Sequence, residues 1–106
     1  MSVDQTNIID AISLNNTSNI VELSIIDALG WENPIEHLLI LQSKINAYFN
    51  FVESGQIYEE YSDAIDNKIN IGLISKYDLP AQAEEFLDKA RKAASQLNIT
   101  ISSTKL

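Results

Sequence analysis

The residues best suited to acid–base chemistry surround the chain's only histidine, His37. Asp27, Glu32 and Glu36 are the carboxylates that precede it most closely in the sequence. An imidazole that a carboxylate orients can act as a general base near neutral pH. These four side chains are therefore the candidates for the catalytic site of a small hydrolase or isomerase.

A second interpretation of His37 is structural. The residue falls in the first turn of a predicted helix, where a positive charge would oppose the helix dipole, so we expect a neutral ring. A neutral imidazole at this place can hydrogen-bond a nearby loop and stabilise the start of the helix. This interpretation competes with the catalytic one.

The same carboxylates, together with Asp10, are the candidates for a Mg²⁺ or Ca²⁺ site, because hard cations prefer carboxylate oxygens. The spacing of Asp10, Asp27, Glu32 and Glu36 matches no calcium-binding loop. The chain has no cysteine, which removes thiolate chemistry and zinc sites built on sulfur. It also has no glycine-rich phosphate loop and no G-x-S-x-G nucleophile elbow. We therefore predict no metal site and no cofactor.

A long helix must position these residues. We predict it from Asn33 to Gly55, because Asn33 can cap, Pro34 suits the first helical position and Gly55 suits the end. Glu36 is at the position from which a capping-box carboxylate accepts the backbone N–H of the cap residue. Trp31 precedes the cap, where it can form a hydrophobic staple with the start of the helix. The buried stripe comprises Leu38, Leu41, Ile45, Tyr48 and Val52.

Alternation of apolar and polar residues predicts four strands around this helix, at residues 8–14, 20–26, 68–77 and 99–102. In the first strand we place Ile12 and Leu14 on the core side. A second helix begins at Asp78-Leu79-Pro80, with Pro80 in its first turn, and ends at Asn98.

The order strand, strand, helix, strand, helix, strand predicts a single α+β domain over residues 1–106. The first two strands form an antiparallel hairpin, and the third strand, second helix and fourth strand form a crossover, which should be right-handed if both strands are parallel in one sheet. Apolar and polar residues alternate in three of the strands, so only one face of the four-stranded mixed sheet has to be buried. Both helices should therefore pack on that face. The other face would be wet or would meet a partner.

The charge of the chain is strongly acidic. Fifteen acidic and seven basic residues give a formal net charge of −8, which disfavours nucleic-acid binding. Glu53, Glu59, Glu60, Asp63 and Asp66 fall within 14 residues that contain no Lys or Arg. If they share a face, they form an acidic patch that would steer a basic partner. The alternative is an ordinary solvated surface that keeps the protein soluble.

A second flank of the long helix carries Ile40, Lys44, Ala47 and Phe51. It lies roughly 110° from the buried stripe at 100° per residue, so the predicted fold does not clearly cover it. Its neighbour is the second helix, the tyrosine segment that follows Gly55, or another subunit. We predict Ile40, Lys44 and Phe51 as contact residues for a partner or a second copy of the chain.

The N-terminal residues lack the basic and apolar regions of a signal peptide, and no apolar run reaches the length of a membrane span. We expect a cytoplasmic protein that does not bind membranes.

The helix sequence W-E-N-P-I-E-H-L-L-I-L-Q-S-K-I-N-A-Y-F-N-F-V-E-S-G resembles a small uncharacterised bacterial protein family with the pattern E-H-L-x-x-L-Q-x-K-I-N-x-Y-x-x-F-I-E-S-G. The chain departs from that pattern at Val52, where isoleucine is usual. The resemblance implies a bacterial, cytoplasmic, single-domain protein. It carries no established activity, so it assigns no functional residue.

These observations favour a small acidic, non-enzymatic protein-interaction module. Its partner would be another protein or a second copy of the chain, and an inhibitor or immunity-like protein is one concrete version. The alternative function is a small hydrolase or isomerase that uses His37 with the nearby carboxylates.

Overall fold

The structure, a computed structural model, describes residues 9–15, 17–65 and 67–106, without the side chain of Asp63. Two predicted features fall outside the described residues: Asp66 of the acidic patch and the first residue of the first predicted strand.

The helices and strands follow one another in the predicted order. The strands are β1 (Ala11–Asn15), β2 (Ile20–Asp27), β3 (Lys68–Ser75) and β4 (Ile99–Lys105). The helices are α1 (Pro34–Glu53), α2 (Gln56–Glu60) and α3 (Ala81–Ser95), and a 3₁₀ turn spans Ser62–Ala64. The predicted α+β class is confirmed, and α2 with the 3₁₀ turn adds a short helical segment between α1 and β3.

The sheet has the order β1-β2-β3-β4. β1 pairs antiparallel with β2, whereas the β2–β3 and β3–β4 pairs are parallel. The predicted hairpin is therefore confirmed, and the predicted crossover through α3 joins two parallel strands. A second crossover, through α1 and α2, joins β2 to β3.

The core lies between the helices and one face of the sheet. Strand residues that point to this face are buried, and they form one cluster with the inner residues of α1 and α3. Members of the cluster from the strands are Val21, Leu23, Ile25, Ile69, Ile71, Leu73, Ile99 and Ile101. Ile12 and Leu14 pack against it, as predicted. Both long helices thus cover the same face.

None of the described helices lies above the opposite face of the sheet. Its polar side chains hydrogen-bond one another across three strands: the Asn70 amide donates to Glu22 Oε2 (2.8 Å) and to Ser102 Oγ (3.1 Å), and Thr100 Oγ1 donates to Asn70 Oδ1 (2.7 Å). No described helix is long and apolar enough to cross a membrane.

The predicted ends of the helices are largely correct. Gly55 has a φ of 84° after α1, and Asn98 has a φ of 59° after α3, so both residues terminate their helices in the left-handed region. The start of α1 differs from the prediction, because the Asn33 side chain does not cap the helix and its amide instead donates to Glu36 Oε2 (2.9 Å). Pro80 precedes α3 as its cap residue and is not part of the first turn.

Candidate functional site

The buried polar residues of α1 lie along one side of the helix. His37, Lys44 and Tyr48 are spaced seven and four residues apart, which places them on the same side of an α-helix. Each contacts polar groups of the hairpin or of the loop that follows it. We call these three residues the polar seam of α1.

His37 forms the start of the seam and is only 3% exposed. Its Nε2 lies 2.7 Å from Oδ2 of Asp27, at the end of β2, and its Nδ1 lies 2.9 Å from the carbonyl oxygen of Gly30. Asp27 Oδ1 accepts the N–H of Leu29 at 3.1 Å. The imidazole therefore ties the first turn of α1 to the end of β2 and to the connecting loop.

The hydrogen bonds of His37 determine where its protons are. A carbonyl oxygen only accepts, so Nδ1 must carry a hydrogen that points to Gly30. Nε2 faces a carboxylate oxygen, so a second proton lies between Nε2 and Asp27. Both ring nitrogens are therefore engaged in hydrogen bonds within the protein. No ring nitrogen is left to take a proton from a substrate.

Trp31 covers the imidazole. The two rings are stacked, with centroids 3.6 Å apart and planes 14° from parallel. Stacked aromatic rings of this kind stabilise the packing beyond the apolar area that they bury. Trp31 thus staples the helix entry, as predicted, and it does so against His37.

A shallow cleft of about 320 Å³ adjoins this cluster. His37, Glu32 and Glu36 line it together with Leu29, Gly30, Asn33 and Ile40. The structure brings His37 and Asp27 into contact, whereas the exposed Glu32 and Glu36 make no hydrogen bond to the imidazole within the described part of the chain. The cleft therefore offers carboxylates at its rim but no imidazole nitrogen that is free to accept a proton.

The four carboxylates considered for a metal site do not converge. Asp10 pairs with Lys44 and Asp27 pairs with His37, so the two buried carboxylates already have partners within the protein. Among the residues that the structure describes, no group of three or more His, Cys, Asp or Glu side chains is arranged to hold a metal ion.

Lys44 and Asp10 form an ion pair in the interior. Lys44 Nζ lies 2.8 Å from Asp10 Oδ1, and both side chains are 0% exposed. Asp10 Oδ2 accepts the N–H of Ile26 at 2.9 Å. Charges removed from water are tolerated only when they are paired and hydrogen-bonded, and the carboxylate here meets both conditions.

Tyr48 completes the polar seam beside this pair. Its hydroxyl accepts the N–H of Asp10 at 2.9 Å and donates to the carbonyl oxygen of Ser24. Strand β1 begins opposite Ser24, with Ala11. Asp10 and Tyr48 therefore satisfy the β2 backbone groups that lie beyond the end of β1, and they join the hairpin to α1.

The predicted contact flank of α1 is wrong for Lys44 and Phe51, because both side chains are buried within the chain. Lys44 finds its counter-charge in Asp10, and Phe51 packs in the core cluster with Ile57 of α2 and Ala64 of the 3₁₀ turn. The tyrosine segment thus covers this flank. Ile40 is half-buried and lines the cleft.

Sequence reasoning missed the ion pair, although a signal for it exists. Asp10 shares the inner face of the first strand with Ile12 and Leu14, and Lys44 lies on an apolar flank between Ile40 and Phe51. Two opposite charges, each within an apolar row, indicate that they pair with each other.

The acidic patch is described in part. Glu53, Glu59 and Glu60 are exposed near the end of α1 and on α2. The side chain of Asp63 and the whole of Asp66 lie outside the described residues.

The fold and this site define a class: a two-layer α+β domain whose helices cover one face of a mixed sheet and whose buried polar groups connect α1 to the hairpin. The chain belongs to a family of unknown function, DUF6572, whose model matches residues 1–105. The predicted membership of an uncharacterised family is thereby confirmed. No curated protein and no solved structure matches the chain.

The ion pair makes a prediction about stability. Asp10→Asn and Lys44→Met each remove one partner of a buried pair, which costs about 3–5 kcal/mol. The double variant leaves neither charge in the interior, so we expect it to be more stable than either single variant. Urea unfolding of the four proteins measures the coupling energy. Additive costs in the double variant would contradict the pairing.

Tyr48 makes a prediction about pH. Burial raises the pKa of Tyr48, and the nearby charge of Asp10 raises it further. Its contribution to stability is therefore constant below the unfolded pKa of about 10 and is lost as the pH rises beyond it, by up to about 1.4 kcal/mol per pH unit.

The difference in unfolding free energy between wild type and Tyr48→Phe isolates this contribution from the other tyrosines and the lysines. We expect the difference to be constant from pH 7 to about pH 9 and to shrink above about pH 10. A difference that stays constant through this range would contradict the burial of the hydroxyl.

Proposed function

We propose that this domain is a non-enzymatic binding protein whose partner is a basic protein. The observation that carries the proposal is the burial of Lys44. It is the only Lys or Arg between Asp27 and Lys68, and its side chain is 0% exposed. The exposed charges of the described residues in this stretch are therefore all negative.

The outer face of α1 supplies a contact surface within this acidic region. Ile35, Leu39, Gln42, Asn46 and Glu53 are all exposed and lie on the same side of the helix, and we call them the α1 stripe. Ile35 is 75% exposed and Leu39 is 59% exposed, and they are one turn apart. The stripe thus combines an apolar end, two amides and a carboxylate.

This combination suits recognition of a basic surface. Apolar side chains that a partner covers supply most of the binding energy of an interface, whereas charges at its rim raise the association rate and select the partner. Glu32 and Glu36 flank the apolar end of the stripe, and Glu59 and Glu60 lie on α2 beyond its other end.

The exposed face of α3, by contrast, carries charges of both signs. Its acidic Glu84, Glu85 and Asp88 are followed by three basic residues, Lys89, Arg91 and Lys92. Arg91 binds Asp88 at 3.0 Å and also donates to the carbonyl oxygen of Ile101 on β4. A basic partner would therefore prefer the α1 side of the molecule. One concrete form of the proposal is an inhibitor or immunity-like protein that covers the basic surface of its target.

The alternative, a hydrolase or isomerase that uses His37, finds less support. General-base catalysis needs a ring nitrogen that can accept a proton from the substrate. Both nitrogens of His37 are engaged, with Asp27 and with Gly30, and Trp31 stacks on the ring.

The test compares two variants that each change exposed residues. Ile35→Ser/Leu39→Ser removes the apolar end of the stripe, and Tyr77→Ser/Glu85→Gln is the matched control away from α1. Each protein is immobilised and exposed to lysate of the source organism, and the captured protein is then purified for titration. We expect a protein rich in Lys and Arg, bound at least about tenfold more weakly by the stripe variant than by the control.

Added salt should weaken the complex, because exposed charges are screened over about 8 Å at physiological ionic strength. A partner with an acidic surface, equal binding by the stripe and control variants, or no captured partner would each contradict the proposal.

A further inference from the structure

Ser75, at the end of β3, has a buried hydroxyl without a hydrogen-bond partner among the described residues. The residue is 3% exposed. Of the buried side-chain nitrogen and oxygen atoms in the described part of the chain, Ser75 Oγ is the one that lacks a partner. A buried hydroxyl without a partner is destabilising, and a bound molecule that hydrogen-bonds to it removes that cost.

Ser75 lines a pocket of about 130 Å³ on the helix side of the sheet. The pocket lies at the carboxyl ends of the parallel strands β3 and β4, beside the loop that leads into α3. Carboxyl ends of parallel strands are the usual place for ligands in sheets with crossover helices. None of the residues that line this pocket belongs to the α1 stripe or to the cleft beside His37.

The charges around the pocket select the kind of ligand. Lys105 Nζ lies 3.5 Å from Asp78 Oδ1, so these two exposed charges face each other. Glu84, in the first turn of α3, also lines the pocket and has no ion pair among the described residues. An anion would meet two carboxylates here, whereas an ammonium group would find one available in Glu84.

We propose that this pocket binds a small amino alcohol, a molecule that carries a primary ammonium group and a neutral hydroxyl oxygen a few bonds away. The ammonium group pairs with Glu84, and the oxygen binds Ser75 Oγ and Ser103 Oγ. At about 30 Å³ for each water-sized group, the pocket accommodates on the order of four or five non-hydrogen atoms. Ethanolamine is of this size.

Two variants test the contacts. Ser75→Ala removes the hydroxyl and Glu84→Gln removes the charge, whereas Glu85→Gln alters a neighbouring exposed carboxylate that does not line the pocket. Calorimetric titration with ethanolamine and acetate should show saturable binding of ethanolamine and none of acetate. We expect the affinity to fall about tenfold or more in Ser75→Ala and Glu84→Gln and to stay unchanged in Glu85→Gln.

The ligand-free proteins provide an independent readout. Because Ser75→Ala removes a buried hydroxyl that has no partner, its melting temperature should equal or exceed that of the wild type. Absence of saturable binding of ethanolamine, equal binding of acetate, or full affinity in Ser75→Ala would overturn the proposal. A lower melting temperature for ligand-free Ser75→Ala would also overturn it, since the hydroxyl would then have a partner within the protein.

Discussion

The ion pair between Asp10 and Lys44 is the interaction on which the arrangement of this domain depends. Both charges are removed from water, a large cost that only close pairing and further hydrogen bonds offset. The second carboxylate oxygen of Asp10 holds the N–H of Ile26, and Tyr48 holds both the N–H of Asp10 and the carbonyl oxygen of Ser24. One small group of side chains therefore connects the short edge strand β1 and its partner β2 to the middle of α1.

The same seam explains the electrostatic character of the surface. His37 and Lys44 are the basic residues of α1, and both point inward against carboxylates of the hairpin. The acidic residues of α1 and α2 are exposed, and none of them forms an ion pair with a described residue. Pairing within the core therefore leaves only acidic charges on the outer side of α1, beside the exposed Ile35 and Leu39.

Much of the fold is readable from the sequence because it depends on local patterns. Three such patterns are the alternation of apolar and polar residues in β2 and β3, the regular spacing of the buried residues of α1, and the left-handed residues Gly55 and Asn98. Each involves only a few neighbouring positions of the sequence. The ion pair was missed because its partners are 34 residues apart and each looks misplaced on its own. The start of α1 was predicted from Asn33 as a cap, but contacts of His37 with Asp27 and Gly30 secure it instead. Contacts between residues that are distant in the sequence determine such features, and a helical wheel of a single helix cannot show those contacts.

Chemical accessibility of the lysines tests the central claim most directly. Mild acylation of the native protein, followed by mass spectrometry of its peptides, reports the reaction rate of each ammonium group. The account predicts rapid modification of Lys68, Lys76, Lys89, Lys92 and Lys105, with Lys44 reacting only as fast as the domain unfolds. Modification of Lys44 in the native protein at the rate of Lys105 would contradict its burial, and with it the uniformly acidic surface of α1.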